Sequence, residues 1–263
     1  MSGPALARRL GWVGLLAVLH GTPAAAQPTR FALLVGANRG LDSDGALRFA
    51  GTDATRLART LVELGSFAEE NTVVLVDRDA TAMRRALLSL NERIRQGGAH
   101  GRQALLLVYY SGHADARELH LGGTRLAVEE LRQMVAGSAA AMRVLVLDAC
   151  RSGSATRVKG GRPAAGFAVR FATAPSSEGL AVITSSTATE DSQESETIGA
   201  SFFSHFFLSG LRGAADRNRD GRVSLDEAYG YAYALTLRET SRTVAGPQHP
   251  TFDFAMRGKG DVV

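Results

Sequence analysis

Cysteine is almost missing from this 263-residue chain: Cys150 is the one thiol, so no disulfide can form within it and a buried core, with a metal as the remaining aid, has to supply stability. Lysine is nearly as scarce, standing only at 159 and 259, so arginine carries the cationic charge, which we read as a coding bias. No surplus of one charge develops either. Thirty basic residues against 26 acidic ones give +4, and the surplus falls to two once Arg8 and Arg9 are set aside with the leader described below. That is too little for a nucleic-acid-binding surface, despite a sequence pI near 9.6. No fixed-period repeat runs along the chain, which excludes a solenoid or propeller. What remains is 45% hydrophobic and 21% charged, the profile of a globular protein with a large core rather than a disordered, collagenous or multi-pass membrane chain.

The first residues have their own grammar. Arg8 and Arg9 precede an apolar run, Leu10 to Leu19, and Ala24-Ala25-Ala26 offers a small-residue cleavage site before Gln27. The run is too short for a stable membrane span. We expect residues 1–26 to be a secretory signal peptide and 27–263 a single exported domain, periplasmic or secreted. A lone thiol in an exported protein is open to oxidation, so Cys150 either hides in the core or is kept for its reactivity.

Beyond Pro28, apolar strands alternate with helices. Strands are expected at Phe31 to Ala37, Thr72 to Val76, Ala104 to Tyr110, Arg143 to Ala149 and Leu180 to Ser185. Helices are expected over 49–64, 81–96 and 128–135, with Gly65 and Gly97-Gly98 as stops. Continuous apolar strands separated by helices predict an α/β fold, a mostly parallel central sheet sandwiched between helices. Chemistry in such sheets gathers at the carboxyl ends of the strands.

That rule points to two strand ends, Tyr110-Ser111-Gly112-His113-Ala114 and Asp148-Ala149-Cys150-Arg151-Ser152-Gly153. If the strands are parallel, both ends lie on one edge and His113 can meet Cys150. An ordinary thiol is only a few per cent thiolate at neutral pH, and a neighbouring imidazole is the usual means of activating it. His113 would take the proton and return it to a leaving amine. Tight turns at Gly112 to Ala114 and at Cys150 would aim backbone N–H groups at the developing oxyanion, so Gly112, Ala114 and Cys150 are the expected donors.

At these residues the sequence resembles the caspase and metacaspase cysteine peptidases, especially the short bacterial caspase-like members. Leu33-Leu34-Val35-Gly36, Gly51-Thr52-Asp53-Ala54 and the two strand ends carry the resemblance, over about residues 30–255. It implies a caspase-like fold and endopeptidase activity by a Cys150–His113 dyad with no metal in the chemistry. Two positions depart from familiar members: Ala114 stands where many have glycine, and Asp148 where the animal caspases have glutamine. The acidic residue matches the metacaspase arrangement, in which Asp148, Asp53 and Ser111 would line the pocket for the residue before the cut bond. Two carboxylates converging in a partly dry pocket gain from a cation. The expected substrate is therefore a protein or peptide cut after Arg or Lys. Residues 152–178 lose apolar periodicity and hold Arg157, Lys159, Arg162 and Arg170, so this expected loop is open to self-cleavage.

Residues 216–227, Asp-Arg-Asn-Arg-Asp-Gly-Arg-Val-Ser-Leu-Asp-Glu, fit the twelve-residue EF-hand loop. Asp216, Asn218 and Asp220 would give side-chain oxygens, Arg222 its carbonyl, Ser224 a direct or water-borne ligand and Glu227 both carboxylate oxygens, with Gly221 at the sharp turn. Apolar helical spacing at 201–211 and 225–240 makes 201–240 an EF-hand-type helix-loop-helix. Calcium is therefore the expected cofactor, structural or modulatory and of modest affinity. Asp42-Ser43-Asp44-Gly45 lacks a glutamate in register and reads as a turn, while His100, His120, His205 and His249 show no ligand spacing. The sequence thus describes an exported cysteine endopeptidase. A catalytically silent scaffold or calcium-dependent protein-binding module is the alternative, and another thiol hydrolase such as an amidase is a third. Oligomeric state is not legible.

Overall fold

The computed structural model describes residues 28–98, 103–149 and 178–257, with backbone alone at 178 and 255–257. The leader, Cys150 and the 152–177 part of the expected loop lie outside the described residues. Strand β1 (Arg30–Ala37) lies between β2 (Thr72–Val76) and β3 (Leu105–Ala114), followed outward by β6 (Met142–Asp148), β7 (Glu178–Thr184) and β10 (Thr251–Arg257). All these pairings are parallel except β7–β10, which is antiparallel. The five parallel strands are those expected from their apolar runs, with β2 at the sheet's edge. Both faces are covered, so no polar alternation is needed along them.

Helices α2 (Ala80–Gln96) and α3 (Val128–Ala136) cover one face, where Met83, Leu87, Leu90, Ile94, Leu131 and Val135 meet Leu33, Val35, Leu106 and Val108. The other face takes α1 (Ala50–Leu64), α4 (Phe202–Ser209) and α5 (Leu225–Thr240), through Ala54, Leu57, Leu61, Phe203, Phe207 and Ala228. Alternation along β3 and β6 sends Tyr110 and Leu147 into the first core and Tyr109 and Val146 into the second. Ser111 and Asp148 continue the second set, facing α1 and α4.

Three features differ from the expectation. A hairpin, β4 (Glu118–Leu121) and β5 (Thr124–Ala127), turns through Gly122 and Gly123, both at positive φ as a tight two-residue hairpin turn demands. Its β4 pairs with the end of β3, matching His113 to His120 and Ala114 to Leu119. The stretch Gly112 to Ala114 is therefore extended strand and not a tight turn, because the hairpin supplies a partner that keeps it straight. The short pair β8 (Glu194–Ser195) and β9 (Ala200–Ser201) and the edge strand β10 complete the additions.

The site is set by a close approach of α1 to β1. A Cβ on Gly36 would stand 2.3 Å from the Ala50 carbonyl oxygen, a backbone atom that cannot step aside. Glycine there lets the first turn of α1, with Asp53, sit at the carboxyl end of the sheet. Gly36→Ala is expected to destabilise the fold by about 1–3 kcal/mol, read as a lower urea midpoint at unchanged slope; an unchanged midpoint contradicts this close contact.

Candidate active site

The register of β3 and β6 pairs Ser111 directly with Asp148. Asp53 reaches the same place from α1, and all three are under 5% exposed. The pocket residues named from the sequence are thus assembled together. Asp148 accepts from the hydroxyls of Ser192 (2.6 Å), Ser204 (2.5 Å) and Ser201. Tyr109 Oη lies 2.6 Å from Ser204 Oγ, which donates onward to Asp148, so the tyrosine donates to the serine. Ser201 is the bridge: its hydroxyl serves Asp148 while its N–H donates to Asp53 at 3.0 Å. Ser201 also caps α4, its Oγ accepting from Ser204 N.

The two carboxylates are therefore unequal. Asp148 is coated by three hydroxyl donors. Asp53 has one amide, and burial together with the neighbouring charge of Asp148 pushes its pKa up to about 7. Burial and the same two carboxylates also raise the Tyr109 phenol well above its usual value. A small cavity lined by Asp53, Leu57, Tyr109, Ser204, Phe207 and Leu208 lies beside the pair.

His113 stands at the end of β3, half-buried, with Nε2 2.5 Å from the carbonyl oxygen of Gly45. A carbonyl can only accept, so Nε2 carries the proton and the lone pair of a neutral ring is on Nδ1. Buried Tyr110 donates its hydroxyl to the carbonyls of His113 (2.7 Å) and His120 (2.8 Å), joining β3 to β4. Glycine at 112 leaves room for that hydroxyl, since a Cβ there would come within 2.5 Å of it. The amides of Gly112 and Ala114 belong to this extended segment; Cys150 lies outside the described residues.

The caspase domain family pattern matches residues 29–259. This chain belongs to the caspase-domain family. Metacaspase-6 of Arabidopsis thaliana is 35% identical over 105 residues, 37% of this chain and 24% of that protein, so the match spans about a quarter of the plant protein. Among solved structures, caspase-1 from Spodoptera frugiperda shares the fold with a TM-score of 0.61 at 14% identity, over 96% of this chain and 97% of that one. The caspase-like α/β architecture expected from the sequence is thus present, and the fold is of the cysteine-peptidase type.

In this caspase-domain chain the expected calcium loop joins α4, extended by a π-turn over Gly210–Ala214, to α5. Asp216 accepts from the amides of Asp220 (3.2 Å) and Gly221 (3.0 Å), Asn218 from Asp220 N (2.9 Å) and Asp220 from Arg222 N (2.8 Å). Gly221 takes the left-handed turn at φ 78°. Ser224 caps α5, and Glu227 reaches back to Ser224 N and, across the loop, to Arg217 N. The oxygen donors suit a hard cation, but each serves the loop's own amides. Among the described residues no group of three or more His, Cys, Asp or Glu side chains gathers closely enough to hold a metal. Of the other histidines, His249 pairs with Glu190 at 2.7 Å, His205 packs edge-on against Phe206, and His100 lies outside the described residues. Among the described residues no helix is long and apolar enough to cross a membrane.

Sequence reasoning passed over Ser192, Ser201, Ser204 and the Gly45 carbonyl. Ser201-x-x-Ser204 at a helix start was the available signal, since a serine before an apolar helical run is an N-cap.

Ordinary aspartate ionises near 3.8, so a pKa of about 7 means that the native state holds a proton the unfolded chain has lost. The stability this gives is complete below the unfolded pKa and fades as pH rises towards 7. Asp53→Asn removes the penalty of ionising the buried group. Its melting temperature relative to wild type is expected to climb by a few degrees between pH 5 and pH 8; a pH-independent difference in differential scanning fluorimetry rejects the assignment.

Proposed function

We propose that this caspase-domain protein is a cysteine endopeptidase with Cys150 as nucleophile and His113 as general base and acid, cutting after Arg or Lys. The observation that carries this is the parallel register: Ser111 pairs with Asp148, and His113 and Cys150 each follow two residues later in the sequence. The Gly45 carbonyl leaves Nδ1 of His113 as the basic atom. In the proposed reaction Nδ1 takes the thiol proton as sulfur attacks the peptide carbonyl. The imidazolium then gives that proton to the departing amine, and water hydrolyses the thioester with His113 again as base. The amides of Gly112, Ala114 and Cys150 are the donors assigned to the oxyanion.

Asp53, Asp148 and Ser111 are assigned to the basic side chain before the cut bond. Asp148 stands within its coat of hydroxyls. Asp53 ionises when a guanidinium or ammonium arrives, because a nearby cation lowers the cost of the second charge. An acidic side chain would meet two carboxylates, so it is rejected. Residues 1–26 are proposed to be a removable export signal, placing the mature chain in the periplasm or outside the cell. The 152–178 segment is proposed as a site of self-cleavage.

Calcium is proposed as a structural or modulatory cofactor of the 216–227 loop, held by Asp216, Asn218, Asp220, the Arg222 carbonyl, Ser224 and Glu227. Its support is the loop's Asx turns, the left-handed Gly221 and the position of Glu227 in the first turn of α5. No step of the chemistry passes through it.

A positional-scanning fluorogenic peptide library is expected to show cleavage after Arg and Lys and none after Asp, with at least about a thousandfold loss in Cys150→Ala and in His113→Ala. Cleavage of Asp peptides with Arg peptides ignored overturns the specificity; a folded wild type that cuts nothing, and whose thiol labels no faster than that of His113→Ala, overturns the enzyme in favour of a scaffold. Isothermal titration with calcium is expected to give a Kd of roughly 10⁻⁴–10⁻³ M, lost in Glu227→Gln. Absence of heat together with an unchanged melting temperature in chelator removes the calcium site.

A further inference from the structure

We propose that His120, acting through Asp44, is a positioning residue that sets the Gly45 carbonyl against the His113 ring. This rests on the reading of His113 as the base. Gly45 has no side chain to anchor it, and nothing lies within 4 Å of where its Cβ would be, so local packing does not fix its peptide. The segment leaving β1 closes on itself instead. Leu47 N donates to Asn38 O, Asp44 N to Leu41 O, and Leu41 N to Asp44 Oδ2 at 2.7 Å. Its base is seated on the hairpin by Gly122 N to Arg39 O (3.0 Å) and Gly123 N to Gly40 O (2.9 Å).

At the tip, next to Gly45, a side-chain bond ties the loop to the hairpin: His120 Nδ1 to Asp44 Oδ2 at 2.9 Å. The His120 ring is itself fixed. It is 8% exposed and faces His113 in the β3–β4 register, while its buried Nε2 makes no hydrogen bond and lies 3.5 Å from Asp115 Oδ2. Asp115 in turn is held by the amides of Arg117 (2.7 Å) and Glu118 (2.9 Å). Although burial pulls the other way, the Leu41 amide and His120 keep the Asp44 carboxyl below its ordinary pKa. The carboxylate is therefore present as an acceptor throughout the neutral range. The chain of contacts runs His120, Asp44, Gly45 carbonyl, His113, and its last link sets the direction of the basic lone pair.

Removing the His120–Asp44 bond frees the Gly45 peptide to turn, and the ring follows it. An error of about an ångström in a reacting group costs up to about a hundredfold in rate while leaving substrate binding largely alone. On an arginyl peptide amide, His120→Ala and Asp44→Ala are each expected to lower kcat about tenfold to a hundredfold, with KM changed less than about twofold. His120→Asn, whose amide nitrogen takes the place of Nδ1, is expected to recover kcat to within a few-fold of wild type. Arg125→Ala breaks only the Arg125–Glu118 pair on the outside of the same hairpin and leaves both constants unchanged. A folded His120→Ala with kcat within twofold of wild type, or no recovery in His120→Asn, overturns the proposal. Should circular dichroism show His120→Ala unfolded, Asp44→Ala is judged by the same criterion. An active His113→Ala would remove the base itself; an inert His113→Ala beside a fully active His120→Ala removes only the positioning role.

Discussion

The Asp148 carboxylate is the constraint around which the carboxyl end of the sheet is organised. Burying an ionised carboxylate is costly unless its lone pairs are met, and here three hydroxyls meet them. Each hydroxyl comes from a part of the chain that would otherwise be free to drift: Ser192 from the segment after β7, Ser201 from the start of α4, Ser204 from its first turn. Gln248 extends the set, accepting from Gln193 N and donating to Ser185 O, so the segment before β10 is drawn in as well. One carboxylate therefore fixes the relative placement of β6, α4, the connection after β7 and the segment before β10. Asp53 shares the site through Ser201 N but lacks such a coat, and burial beside Asp148 makes it a group that titrates near neutrality.

The parallel strands were legible because burial on both faces writes itself into the sequence as an unbroken apolar run. The edges were less so, for physical reasons. Strand β10 begins Thr-Phe-Asp-Phe, with period-two alternation, and Phe252 packs against Tyr229 on α5 and against Phe254; alternation over four residues between two prolines and a glycine is a faint signal. The hairpin is different. Glu-Leu-His-Leu-Gly-Gly-Thr-Arg-Leu-Ala carries a two-glycine turn between short alternating segments, a recognisable hairpin pattern. Missing it made Gly112 to Ala114 look like a turn when it is paired strand.

Within the candidate site, legibility follows sequence distance. Asp53, Ser111, His113 and Asp148 sit in compact motifs at the ends of elements, so their neighbours along the chain announce them. The serine coat lies 44 to 56 residues from the carboxylate it serves, and Asp44 lies 76 residues from His120. No local pattern marks such pairs. They become necessary only when the fold has placed a buried charge or a buried ring and left it needing a partner. His120 shows this plainly: as an isolated histidine in a sequence it is unremarkable, and only its register opposite His113 gives its hydrogen bond to Asp44 a consequence.

The His113 ring is held by a backbone carbonyl, with the Asp44 carboxylate one step behind it. A carboxylate placed directly on Nε2 would bind the imidazolium strongly and favour the charged ring before substrate arrives. A carbonyl orients the ring equally well but carries only a dipole. The direction of a carbonyl is, however, soft unless its loop is fastened. Asp44 and His120 supply that fastening with a charge-assisted bond, stronger than a neutral one, at a point where the charge acts on the loop and not on the ring. Geometry and charge are thereby set by different residues, and each can change without the other.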